Sequence, residues 1–174
     1  LYQENFLLFL IWLQVPFYWL HQFEEYILPG GFKEFFNKKV SKVYDADIPL
    51  NDSFIFWVNV PLIWVAFPLF AGLSGIDLQY GVWIAYFSII NALAHLTWGI
   101  EKRGYNPGLV VSVLLNIPIG IFTVVNILGA NVITSSANII SIVAALLVQG
   151  ALTAYGKIKL KQYRRSISEA SAQN

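Results

Sequence analysis

Residues 5–26 of this chain read NFLLFLIWLQVPFYWLHQFEEY, an apolar run in which the first charged side chain is Glu24. At a rise of 1.5 Å per residue, a helix of this length crosses a hydrocarbon core of about 30 Å. Further runs of similar length follow over residues 53–73, 79–100, 107–128 and 132–155. The sequence therefore predicts an all-α, polytopic membrane bundle with five transmembrane helices.

Composition supports the same class of protein. Of the 174 residues, 57% are hydrophobic and 12% are charged, which leaves too little polar surface for a water-soluble domain of this size. Cysteine is absent from the sequence, so thiolate metal ligands and a cysteine nucleophile are excluded. We interpret residues 1–165 as a single five-span domain and the polar residues 166–174 as a disordered cytoplasmic tail.

The basic residues predict the orientation of the five spans. All 11 of them lie between the first and second runs, between the third and fourth runs, or after the fifth. Lysine and arginine mark the cytoplasmic loops of membrane proteins. We therefore expect the N-terminus outside the cell and the C-terminus inside.

A shorter amphipathic segment lies between the first two runs, at about residues 32–43. Its apolar residues recur at spacings of three and four, and lysines occupy the other face; they are Phe32, Phe35, Phe36, Val40 and Val43, opposite Lys33, Lys38, Lys39 and Lys42. This pattern predicts an interfacial helix on the inner leaflet. It is either a simple connector or an element that admits a lipid-like substrate.

The only two histidines lie near the ends of the first and third runs. His21 shares a helical face with Glu24 and Glu25, and His95 shares one with Asn91, because residues three and four apart are neighbours on a helix. The predicted topology places both groups at similar depth near the cytoplasmic side. Ionisable residues inside lipid are costly, so we take them as a candidate functional site.

The loop after the third run brings further polar groups to the same side. It carries the carboxylate of Glu101, the phenol of Tyr105 and the amide of Asn106, followed by Pro107 and Gly108. Proline is favoured at the first position of a helix, so Pro107 is expected to begin the fourth span.

Two imidazoles with two or three carboxylates form a ligand set suited to Zn²⁺, or to iron or manganese in a more oxygen-rich arrangement. A histidine and a glutamate one helical turn apart present both ligands to one ion. The order of residues differs from the zincin motif, in which two histidines bracket a glutamate. We therefore predict a divalent metal site, with Zn²⁺ as the expected ion.

Three short strings resemble the HXXEE family, a group of uncharacterised bacterial and archaeal membrane proteins. They are HQFEE at residues 21–25, NALAH at residues 91–95 and YNPG at residues 105–108. The strings occur in the family's order and span about half of the chain. The resemblance implies a prokaryotic cytoplasmic membrane protein and a functional set that comprises His21, Glu24, Glu25, Asn91, His95, Tyr105, Pro107 and Gly108. It implies no particular reaction.

From these residues we predict a membrane metalloenzyme, a zinc-dependent hydrolase. His21, Glu25 and His95 would bind the metal, Glu24 would act as general base, and Tyr105 would stabilise an oxyanion. The glutamates could exchange these roles. Supporting contacts to the histidines or the substrate are expected from Asn91, Glu101 and Asn106.

A site near the headgroups favours a lipid-like or membrane-peptide substrate, and membrane lipids are the expected partners. The sequence shows no nucleic-acid-binding motif, and the oligomeric state is open. Two alternatives remain at this point. One is an iron redox enzyme in which Glu24, Glu25 and Glu101 bridge a pair of ions. The other is a non-catalytic carrier or small-ligand sensor.

Overall fold

The computed structural model describes residues 2–44 and 47–172, and the fold it gives for them is helical. Five of its helices are long and apolar enough to cross a membrane. The predicted all-α bundle with five transmembrane helices is confirmed, and the protein is a membrane protein on this ground.

Six helices are numbered here in chain order. α1 covers Tyr2–Tyr26. α2 consists of an α-helical turn at Phe32–Glu34 and a π-helical stretch at Phe35–Val40. The remaining spans are α3 at Asp52–Leu73, α4 at Leu78–Glu101, α5 at Leu109–Ala130 and α6 at Ser135–Ala172. Apart from the end of α6, the span boundaries agree with the sequence prediction to about three residues, the ordinary uncertainty of helix ends.

The end of α6 differs from the prediction. The helix continues past residue 155 and includes residues 166–172 of the expected disordered tail, while residues 173 and 174 lie outside the described residues. No glycine or proline interrupts residues 157–172. Arg165 Nε donates to Glu169 Oε1 at 2.7 Å, an i,i+4 pair that stabilises a helix. The tail therefore begins as an exposed extension of α6.

α4 is the central helix of the bundle. It packs against α1, α5 and α6, and α1 also packs against α3 and α5. The core where these helices meet includes Leu7, Ile11, Phe67, Phe87 and Ile127, all nearly inaccessible to solvent. This arrangement brings the end of α1, the end of α4 and the beginning of α5 to one side of the bundle.

α2 lies across that same side of the bundle. Phe32 and Phe35 are buried in a small cluster with Leu50, and Trp98 of α4 packs against it. On the polar side, Lys33 Nζ donates to Asp52 Oδ1 at 2.7 Å and to a second carboxylate in the α2–α3 loop. The helix ends at Val40 rather than at residue 43, and its apolar face contacts protein. Its position on the inner leaflet stays a prediction.

Candidate metal centre

Both histidines meet Glu25 at the end of the bundle that α2 covers. His21 Nε2 lies 3.5 Å from Glu25 Oε1, and His95 Nε2 lies 3.3 Å from the same oxygen. Both histidines are inaccessible to solvent, and Glu25 is 6% exposed. The two clusters that the sequence placed at similar depth thus form one site. The centroids of the two imidazole rings lie 4.7 Å apart.

The separations within this group suit a metal ion better than hydrogen bonds. Neither histidine Nε2 has a hydrogen-bond partner. In a tetrahedral zinc site with bonds of about 2.0–2.1 Å, neighbouring ligand atoms lie about 3.3–3.4 Å apart. Both nitrogen–oxygen distances are close to that value. All three ligand atoms lie within 4.8 Å of one another.

The other nitrogen of each ring fixes the tautomer. His21 Nδ1 lies 3.1 Å from the carbonyl oxygen of Gly108, which can only accept a hydrogen bond. His95 Nδ1 lies 2.9 Å from Asn106 Oδ1, and the amide nitrogen of Asn106 donates to the His95 carbonyl oxygen at 3.0 Å. Both Nδ1 atoms therefore act as donors, and in the neutral imidazole this leaves each Nε2, the atom that faces Glu25, as the nitrogen able to bind a metal.

The backbone comes close to this centre at Gly108. Its φ is +96°, and a Cβ atom there would lie 2.7 Å from His21 Cε1 and 2.8 Å from His95 Cε1. Only glycine has room here and readily adopts this conformation. The left-handed residue also delays the fourth span, which begins at Leu109, so the prediction that Pro107 begins it is wrong.

Glu24 does not join the metal-binding group in the described residues. Its carboxylate accepts hydrogen bonds from the backbone N–H of Val110 at 3.0 Å and of Val111 at 2.8 Å. It thereby satisfies free donors in the first turn of α5, where the helix dipole favours negative charge. Both oxygens are thereby directed at α5 and away from the histidines, and the general-base role of Glu24 stays a prediction.

Tyr105 has a related structural role. Its hydroxyl donates to Glu24 Oε1 at 2.9 Å, so it is directed at the anchoring carboxylate instead of at an oxyanion beside the histidines. Partial burial, together with the hydrogen bond and charge of Glu24, raises the pKa of Tyr105 above its usual range. The phenol therefore remains a donor at neutral pH.

Among the described residues, Asn91 and Glu101 make no hydrogen bond to either histidine, and their predicted contact with a substrate stays a prediction. Asn91 Nδ2 reaches Gln149 Oε1 at 3.5 Å, a long contact to α6, and the amide that orients His95 is that of Asn106. Glu101 is exposed at the end of α4 and lies outside the His–Glu group. A pair of ions bridged by Glu24, Glu25 and Glu101 is therefore not supported by this geometry.

One residue beside the site, Ser112, was not predicted from the sequence. Ser112, fully buried in a π-helical stretch of α5, lies with its Oγ 3.3 Å from His21 Nδ1. The aromatic rings of Tyr18, Phe32 and Trp98 contact the two imidazoles at centroid distances of 5.1–5.3 Å. Ser112 stands one helical turn after Gly108, a weak signal that points to it only once the helix start is known.

A cavity of about 350 Å³ opens beside the centre, and Glu25 forms part of its wall. Most of the lining is apolar; the polar or charged members include Tyr26, Asn59, Asn91, Gln149 and Lys157. A larger space of about 860 Å³ lies between α1 and α3, but neither histidine nor Glu25 lines it. We connect the smaller cavity with the site because it reaches a candidate ligand.

The fold and the site define a class of protein: an integral membrane helix bundle with a buried His₂Glu group that could hold a metal ion. The chain belongs to the family described as proteins of unknown function with an HXXEE motif, whose model matches residues 12–123. No curated protein and no solved structure matches the chain.

Proposed function

We propose that this protein is a metal-dependent membrane hydrolase that binds one Zn²⁺ ion through His21, Glu25 and His95. The observation that carries the proposal is the convergence of two unpaired Nε2 lone pairs on one carboxylate oxygen. A metal ion between these three buried ligand atoms would satisfy all of them. Three protein ligands also leave one coordination position for water or substrate, as in catalytic zinc sites.

The chain's own residues would prepare the site before substrate binds. Asn106 and the Gly108 carbonyl hold the two rings in the ligating tautomer. Tyr18, Phe32 and Trp98 exclude water around the rings. A bound zinc ion would supply Lewis acidity and a water of lowered pKa. Glu25 lines the cavity, so a group bound there would lie next to one of the residues that would hold the ion.

Metal analysis of the detergent-purified full chain tests this proposal. We expect about one zinc ion per chain, lost in Glu25→Gln and retained in Glu101→Gln, because Glu101 is an exposed carboxylate outside the group. Iron in place of zinc would favour the redox alternative. A wild-type protein that neither retains metal nor takes up added zinc would overturn the proposal.

A second candidate, a metal-containing ligand binder without catalysis, is favoured by the position of Glu24. Hydrogen bonds to Val110 and Val111 occupy this carboxylate, which leaves Glu25 as the one carboxylate of the described residues in the group. Assays of the zinc-loaded protein against lipid esters and amides separate the two. Turnover that disappears in His95→Ala supports the hydrolase, whereas full zinc occupancy without turnover supports the binder.

A further inference from the structure

The residues that line the cavity beside Glu25 extend from the bundle core to the end that carries the basic residues. Ile63 and Phe87, both about 1% exposed, line its inner part, whereas Lys157 and Leu160 of α6 line it at the end that carries the basic residues. Phe36 of α2 also lines the cavity. An alkyl chain suits the apolar inner part, because burial of its methylene groups is favourable. The chain also has no polar atom that would need a hydrogen-bond partner there.

The volume and the charge of the cavity limit the class of ligand that it can bind. A volume of about 350 Å³ is at the small end for ligand pockets, which argues for one alkyl chain instead of two. Lys157 is the single cation among the lining residues and lies at the outer end of the cavity. A negatively charged headgroup would pair with it there, while the adjoining carbons pass Glu25.

We propose that this cavity binds a single-chain anionic lipid, with its chain toward Ile63 and Phe87 and its headgroup at Lys157. The proposal deepens the proposed hydrolase function, since it names the class of substrate or product that lies next to Glu25. The binding itself requires only the cavity.

Two glycines of α6 provide a matched test of the position. Gly156 is buried and lines the cavity; a Cβ atom added there would have Phe36 as its nearest neighbour, at 4.0 Å, whereas one added at Gly150 would have nothing within 4 Å. Gly156→Leu should fill part of the cavity and weaken palmitic acid binding about tenfold, as measured by native mass spectrometry. This factor corresponds to the burial of roughly two methylene groups that the added side chain would displace. Gly150→Leu should bind like the wild type. Equal binding by both variants would place the lipid elsewhere and overturn the proposal.

The headgroup is tested with a second pair of variants, neither of which changes the core. Wild-type protein should prefer palmitic acid to the uncharged hexadecanol by about fivefold, the scale of one exposed ion pair. Lys157→Gln should remove this preference, whereas Lys161→Gln, whose side chain is exposed outside the cavity, should keep it. An equal affinity of the wild type for acid and alcohol would overturn the anionic assignment.

Lipid binding and zinc binding can be tested independently of each other. His95→Ala is expected to lose zinc and still bind palmitic acid, because the cavity is bounded mainly by α2, α3, α4 and α6 side chains other than the histidines. Zinc-loaded wild type that fails to bind palmitic acid would contradict the lipid site and leave the metal centre intact.

Discussion

At the scale of single residues, each imidazole is oriented from the side that faces away from the centre. Asn106 contacts His95 twice, through its side-chain oxygen to the ring and its amide to the carbonyl, so the asparagine cannot be reversed without losing a bond. Gly108 provides the corresponding acceptor for His21. The loop between α4 and α5 therefore sets both ligands, although it contributes none itself.

The Asn106 contact leads to the first prediction. Asn106→Ala should weaken zinc binding about 10- to 100-fold, because the His95 ring loses the acceptor that fixes its tautomer. Competitive titration with a zinc chelator measures the change. Asn91→Ala is the matched control: it belongs to the family string but contacts Gln149, and it should bind zinc like the wild type. The opposite ranking would restore the predicted role of Asn91.

Gly108 gives a second prediction at this scale. Gly108→Ala should abolish stoichiometric zinc, since its methyl group would collide with both imidazole rings and its φ of +96° is unfavourable for alanine. In the same loop, a Cβ atom added at Gly104 would have one described atom within 4 Å, at 3.9 Å, so Gly104→Ala should retain full zinc occupancy. Elemental analysis of both purified variants provides the comparison. Full zinc content in Gly108→Ala would show that the rings do not occupy these positions.

At the scale of the helices, the first turn of α5 is joined to the end of α1. Glu24 accepts two backbone N–H groups of α5 and the Tyr105 hydroxyl, so one carboxylate connects α1, the loop and α5. Glu25, the next residue, points to the metal-binding group instead. Glu24 thus connects α1 to α5, whereas Glu25 is a candidate metal ligand.

This division predicts the behaviour of Glu24→Gln. The variant should keep its zinc but lose about 1–3 kcal/mol of stability, because the neutral amide replaces a charged acceptor at a helix N-terminus and presents only one oxygen to the two N–H groups. For a chain of this size the midpoint of thermal unfolding in detergent should fall by about 2–4 °C per kcal/mol. Loss of zinc together with an unchanged melting temperature would assign Glu24 to the metal.

The arrangement of the helices could be predicted from the sequence only in part. Apolar length predicts five spans, and the matching positions of His21 and His95 predict that they meet, because neither inference needs side-chain directions. The roles of the glutamates were not predictable, since spacings of three and four from His21 share one face. The late start of α5 at Leu109 and the π-helical stretch at Ser112–Asn116 were not predictable either. They depend on the left-handed Gly108 and on packing against α1.

At the scale of the whole molecule, the metal-binding group lies at one end of the bundle together with the basic residues. Lys33 lies in the first turn of α2, Lys102 follows the last residue of α4, and Lys157 of α6 lines the cavity beside Glu25. If the positive-inside rule holds for this chain, the site faces the inner leaflet. The substrate would then reach it from the cytoplasmic side or from that leaflet.

Single-cysteine labelling tests this orientation without interference, because the chain has no cysteine of its own. Cysteines at Lys39, Lys102 and Arg165 should be protected from a membrane-impermeant thiol reagent in intact cells and should react after lysis. A cysteine at Ile76, which is 81% exposed in the α3–α4 loop, should react in intact cells. The α3–α4 loop and the α4–α5 loop lie at opposite ends of α4. A single helix therefore separates Ile76, which should be labelled, from Lys102, which should be protected. Reaction at Lys102 with protection at Ile76 would invert the molecule and place the His₂Glu group at the outer leaflet, where an extracellular substrate would replace the cytoplasmic one.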